Sequence, residues 1–151
     1  MATHHDKIPL ALVGCGGMGY RHLLGLSELW RAGLANVELV GVCDLRLDNA
    51  QHLAHEAEAM LGRRPMIFAD IEKMAAALPT LQAVDITTDV ASHHRVACAA
   101  LDLGYHVLCE KPLALTIRAA NTILAAQQRA GKLLSIAENY RRDPMSRLTR
   151  A

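Results

Sequence analysis

Three short runs in this chain have residue types and spacings that could do chemistry. Gly14-Cys15-Gly16-Gly17-Met18-Gly19 fits G-x-G-x-x-G. It follows an aliphatic run and opens a helical one, which is the context a dinucleotide site requires. Gly14 permits a tight turn, Gly16 lets the backbone approach a pyrophosphate, and Gly19 lets helix pack closely on strand. The helix beginning there aims unpaired N–H groups and a partial positive charge at the phosphates. An ordinary strand-to-helix turn is the alternative. Asp44 closes the next aliphatic run, 25 residues after Gly19, where a ribose-binding acid usually stands nearer ~20. The connection RAGLAN absorbs the excess. A carboxylate there accepts hydrogen bonds from ribose hydroxyls and repels a 2′-phosphate, favouring NAD over NADP. Arg46 works the other way by pairing with a phosphate, and Asp44 could instead cap the following helix. Glu110-Lys111-Pro112 closes a later aliphatic run. Lys111 could hold a substrate hydroxyl or carbonyl oxygen beside a nicotinamide; a surface ion pair before a proline turn is the plainer reading.

These runs need elements that bring them to one edge. Aliphatic stretches at 8–13, 37–43, 66–68, 83–88, 106–109 and 133–137 alternate with helical stretches at about 18–34, 47–61, 71–78, 92–103 and 116–131. The strands lack polar alternation, as burial on both faces produces, and alternation with helices implies a parallel sheet. The expected architecture is a doubly wound α/β sheet, whose ligands gather at the carboxyl ends of the strands. The helix over 47–61 reads as polar. In the next-to-last helix Ser92 reads as the N-cap, Val96, Ala99, Ala100 and Leu103 as the core stripe, and Gly104 as the C-terminal stop. Thr116 is expected to cap the last helix.

Composition excludes several classes. The 151 residues suit one domain that can bury a core without disulfides or metals. Sixteen basic against fifteen acidic side chains leave a formal charge of +1, so nucleic acid and anionic membranes are not expected partners. Five aromatic residues leave little material for base-stacking platforms. The start MATHHDK lacks a signal peptide's apolar stretch, and no segment reaches the ~20 apolar residues of a membrane span. With no Cys-x-x-Cys pair among Cys15, Cys43, Cys98 and Cys109, a reduced, cytoplasmic protein is expected. His52, His55 and Glu56 read as a solvated surface, and the adjacent His93 and His94 would point about 100° apart on a helix, so no metal site is expected. Cys15 at a helix start could have a lowered pKa, but beside a phosphate cradle it reads as filling the turn.

In order and with compatible spacing, GCGGMG, VELVGVCD, AVDITT, HHRVACAALDLGYHVLCEKPLALT and ENYRRDP resemble the N-terminal half of the Gfo/Idh/MocA oxidoreductases, the glucose–fructose oxidoreductase and inositol dehydrogenase family. The resemblance covers nearly all of residues 8–144. It implies a Rossmann-like domain binding NAD, with NADP possible, for hydride transfer to or from a hydroxyl of a sugar, cyclitol or related small polyol. It further implies that Gly14, Gly16, Gly17, Met18 and Gly19 cradle the pyrophosphate and that Asp44, with Arg46 nearby, meets the adenosine ribose. Thr88 and His93 would line the cleft, Glu110 would sit by the nicotinamide ribose, and Lys111 would reach cofactor and substrate. Pro112 is often cis in this family.

Two departures stand out. Asp89 occupies the family's proline position, which bears on the cleft wall beside Thr88. The chain is also short: members carry a second, mostly antiparallel domain with the substrate pocket, a further acid/base residue and the oligomer interface. Residues 1–138 read as the cofactor domain and 139–151 as the start of a crossover into a domain not in this sequence, so residues 1–151 alone are not expected to turn over substrate. A non-catalytic dinucleotide-binding sensor or partner subunit is the alternative. An S-adenosylmethionine site is weaker, since Glu-Lys-Pro has no role in it.

Overall fold

Strand and helix alternate along the chain in the computed structural model, which describes residues 7–141 and 143–149. The readings made on residues 1–6, on Arg142 and on residues 150–151 lie outside it. The elements are β1 (Ile8–Val13), α1 (Gly17–Arg31), β2 (Val37–Cys43), α2 (Leu47–Leu61), β3 (Met66–Phe68) and α3 (Ile71–Ala77). They continue as β4 (Ala83–Ile86), α4 (Val90–Asp102), β5 (His106–Glu110), α5 (Ile117–Ala130), β6 (Leu134–Ala137), a 3-10 turn at Asn139–Arg141 and α6 (Pro144–Leu148). All strand pairs are parallel, in the order β3-β2-β1-β4-β5-β6. This is the expected doubly wound, Rossmann-like sheet. Two three-strand halves meet between β1 and β4, and the carboxyl ends of all six strands share one edge.

Alternate residues of each strand feed two cores. Ala11, Val13, Val84, Ile86, Val107 and Cys109 pack with Met74 of α3, Ala97, Ala100 and Leu101 of α4, and Ile123 and Ala126 of α5. Leu12, Leu39 and Val42 pack on the opposite face with Leu23 of α1 and Ala50, Leu53, Ala54 and Ala57 of α2. Thus α2 is not polar all round. Its buried stripe is mostly alanine, and small side chains let the helix lie close to the sheet.

The stripe of α4 also differs from the expected one. His93, Ala97, Ala100 and Leu101 are buried, whereas Leu103 is 41% exposed. The helix starts at Val90 with Asp89 as its N-cap, so Ser92 lies within the first turn and donates its hydroxyl to Asp89 Oδ2 at 2.8 Å. The helix ends as expected, with Gly104 at φ 86° just past it. Helix α1 stops at Arg31 rather than near residue 34 because Gly33 turns left-handed, and Leu34 N–H folds back to Leu29 O at 2.9 Å. Thr116 caps α5 by accepting from Ala119 N–H at 3.2 Å.

Candidate functional site

The β1–α1 turn is clamped on two sides. Gly14 has φ 100°, its N–H donates to Cys43 O at 2.8 Å, and its carbonyl accepts the Thr87 hydroxyl at 2.6 Å. A Cβ on Gly19 would meet Gly14 O at 2.3 Å, so helix and turn touch backbone to backbone. A Cβ on Gly16 would meet nothing within 4 Å. Gly14, Cys15 and Gly19 are buried, while Gly16, Gly17 and Met18 are exposed at the helix start. Helices α3 and α5 are capped by the side chains of Asp70 and Thr116, whereas α1, like α2 and α4, has no side-chain cap, and it has no acid in its first turn. Its first N–H groups therefore open onto a free cradle, which fits a diphosphate.

Asp44 is built into this turn. Its Oδ2 accepts Cys15 N–H at 2.7 Å and its Oδ1 accepts Arg46 N–H at 2.8 Å. The N-cap of α2 is Arg46, so Asp44 does not cap that helix; its Oδ2 also accepts from Asn49 Nδ2 at 3.5 Å, and its Oδ1 can still accept a further hydrogen bond. A cleft of about 480 Å³ opens beside it, lined by Gly14, Gly16, Asp44, Thr87, Thr88 and Asp89, and also by Asp70, Glu72 and Arg95. Hydrogen bonds from Lys73 N–H and from Ser92 hold the Asp70 and Asp89 carboxyls below the usual range. An acidic lining receives hydroxyls more readily than a further phosphate. Arg46 is exposed and is not among the lining residues. Asp89 has φ −65°, the angle proline would impose, so this substitution leaves the course of the wall intact. Cys15 is no reactive thiol: burial first, then the Asp44 charge, pushes it up to about 12.

Thr87, Asp70, Glu72 and Arg95 escaped the sequence reading. Thr87 adjoins Thr88 in the quoted AVDITT, so its signal was present. The others reach the cleft only because the chain crosses back to this edge.

On the β4–β5 side lie Glu110, Lys111 and Pro112, outside the cleft lining. Lys111 and Pro112 are exposed, and the bond joining them is cis. His93 is 1% exposed. Its Nδ1 lies 2.9 Å from Pro112 O and its Nε2 3.1 Å from Thr88 O, so it ties the two turns together from behind rather than facing the cleft.

His22 also escaped the sequence reading. His22 on α1 places Nδ1 2.8 Å from Asp85 Oδ2 and Nε2 3.1 Å from Glu110 Oε1. Glu110 Oε2 accepts the Lys111 backbone N–H at 2.8 Å. The available signal was Asp85, an acid inside an apolar strand. Hydrogen bonding to Asp85 leads the causes that raise the pKa of His22, with Glu110 adding to it and burial opposing. Stability from this contact is present in full below the ordinary histidine value near 6.5 and is lost as pH rises through the raised folded value. We expect wild type to lose stability as pH rises above about 6.5, by up to ~1.4 kcal/mol per pH unit in denaturant titrations, and His22→Gln to lose less. Equal slopes would mean that His22 is neutral throughout.

Comparison with known proteins agrees with this geometry. A family model described as the oxidoreductase family, NAD-binding Rossmann fold, matches residues 8–138. Glycosyl hydrolase family 109 protein 2 of Akkermansia muciniphila is 30% identical over 150 residues, which is 95% of this chain and 30% of that protein. D-apiose dehydrogenase of Paraburkholderia graminis is 34% identical over 134 residues, 89% of this chain and 33% of that protein. The WlbA dehydrogenase of Bordetella pertussis, solved with NADH and UDP-GlcNAcA, superposes with a TM-score of 0.78 at 26% identity, covering 95% of this chain and 40% of that one. The chain thus spans about a third of the length of these curated relatives. Among the described residues no helix is long and apolar enough to cross a membrane.

Proposed function

Since this chain belongs to the Gfo/Idh/MocA oxidoreductase family by its NAD-binding Rossmann domain, we propose that residues 8–138 hold the cofactor for hydride transfer at a hydroxyl-bearing carbon of a sugar, cyclitol or related compound. The open Gly16 cradle at the uncapped start of α1, with Asp44 anchored to the same turn, carries this reading. The dinucleotide, once bound, supplies the hydride acceptor or donor. Gly16, Gly17 and Met18 receive its diphosphate on backbone N–H groups, and Gly14 and Gly19 complete the cradle by shaping the turn beneath them. Asp44 accepts the adenosine ribose hydroxyls, with Arg46 at the rim and Thr88 in the wall. Glu110 stands by the second ribose, and His93 holds the Thr88 and Pro112 turns in register. Lys111, exposed on the same edge, orients the substrate oxygen and donates to it. Relatives named for sugars support the substrate class. Hydride transfer needs the substrate carbon about 3–3.5 Å from the nicotinamide, held from both sides. Residues 1–151 offer one such wall, and no sugar turnover is expected from them alone. Four free cysteines support a cytoplasmic setting.

Asp44→Ala tests the reading. A hydrogen bond to a charged group contributes ~1.5–3 kcal/mol, so NAD affinity should fall about 10- to 100-fold. The freed Cys15 N–H affects NAD and NADP alike, whereas the ribose contact distinguishes them, so NADP should lose less. Titration calorimetry with both cofactors measures the difference. Equal losses would leave Asp44 a turn anchor only.

A further inference from the structure

Outside the adenosine cleft, the chain buries a group of ionisable side chains of which the reading above uses only Glu110. Asp85 is 3% exposed and Glu110 7%. Both are bridged by His22, whose side chain is 17% exposed. Asp85 Oδ1 is buried with no hydrogen-bond donor among the described residues. Two carboxylates thus share one imidazole: the group carries one net negative charge when His22 is protonated and two when it is neutral. The charged groups facing His22 are Asp85 from β4 and Glu110 from β5. On its own helix, neighbouring Arg21 is exposed.

The position of this group in the sheet gives it a task. Asp44 ends β2, in one half of the sheet; β4 and β5 belong to the other. With the adenosine ribose at Asp44 and the diphosphate crossing Gly16, the nicotinamide half extends over the carboxyl ends of β4 and β5. The ring is positively charged when oxidised and neutral when reduced. A poorly solvated negative group beneath it attracts only the oxidised form, the more strongly the less of its own charge is neutralised by a proton.

We propose that His22 is a specificity-determining residue for the oxidation state of the dinucleotide: the His22–Asp85–Glu110 group keeps its proton under the reduced ring and releases it to solvent when the oxidised ring binds. This rests on the reading above for the place of the nicotinamide. By linkage, a proton released on binding means that NAD+ affinity rises with pH, while NADH affinity does not follow it. Coupling between two such sites is typically about 5- to 150-fold.

Calorimetric titration of residues 1–151 with NAD+ and with NADH tests the proposal, in buffers of different ionisation enthalpy so that released protons are counted. The NAD+/NADH affinity ratio should rise at least about fivefold between about pH 6 and about pH 9, with proton release for NAD+ alone. His22→Gln, which keeps an amide donor for one carboxylate but carries no charge, should make the ratio independent of pH and abolish the release. A ratio that stays constant in wild type, with both cofactors bound, overturns the proposal and leaves the cofactor reading standing. A ratio that changes equally in His22→Gln assigns the proton to another group and also overturns it. Failure of both cofactors to bind overturns the cofactor reading, and this inference with it. Should His22→Gln not fold, imidazole nitrogen shifts of wild-type His22 read the same quantity: its titration should move to lower pH with NAD+ and not with NADH, and an unmoved titration overturns the proposal.

Discussion

Gly16→Val is expected to lower NAD affinity at least about 100-fold while leaving folding stability close to that of wild type. The two halves of this result have separate causes. Gly16 has an ordinary extended backbone, φ −79°, and a Cβ there meets nothing within 4 Å, so the folded chain accommodates the side chain. The isopropyl group then stands where a diphosphate must approach the first N–H groups of α1. Losing two charge-assisted hydrogen bonds removes ~3–6 kcal/mol, which is two or more decades in affinity. Thermal unfolding with and without NAD reads both halves. The variant should keep the wild-type Tm and lose the increment that bound ligand adds to the folded state. A wild-type increment in the variant would place the dinucleotide elsewhere.

Gly14→Ala should fail in the opposite way, by unfolding the protein more easily. The backbone at Gly14 has φ 100°, a conformation costing a non-glycine residue about 1–2 kcal/mol. An added Cβ would also meet Thr88 N at 2.5 Å and Thr87 C at 2.6 Å. Both are backbone atoms, so no side chain can move aside to relieve the contact, and overpacking of that kind costs ~1–3 kcal/mol. The sum, roughly 2–5 kcal/mol, corresponds to a fall in Tm of about 6–16 °C for a chain of this length. Calorimetry of the variant measures it. A Tm within a degree or two of wild type would mean that the β1–α1 turn and the β4–α4 turn can separate freely, contrary to the clamp described for Thr87 and Gly14. Two glycines of one motif thus have different duties: one leaves room for a ligand, the other lets two backbones meet.

The sequence by itself determined most of the architecture, because the signals for it are local. The limits of β2, α2 and β3 follow from aliphatic runs and breakers, and the run of β and α elements dictates a parallel sheet with one ligand edge. The glycine motif, Asp44 and Glu110-Lys111-Pro112 were legible for the same reason, each lying at the end of a strand. The buried face of α4 was legible only at Ala100. Ala97 is no more apolar than Ala99, and what selects it is the closeness of the sheet and α5, which no local pattern encodes. The tertiary structure alone decided the side-chain partnerships. Asp44 meets the N–H of Cys15, 29 residues away, and His22 meets Asp85 and Glu110, 63 and 88 residues away. In a parallel sheet every neighbouring strand lies a whole crossover away in the chain. Strand alternation turns Asp85 and Glu110 away from the core shared by Ile86 and Cys109, toward α1, and only the packed sheet brings that helix's histidine between them.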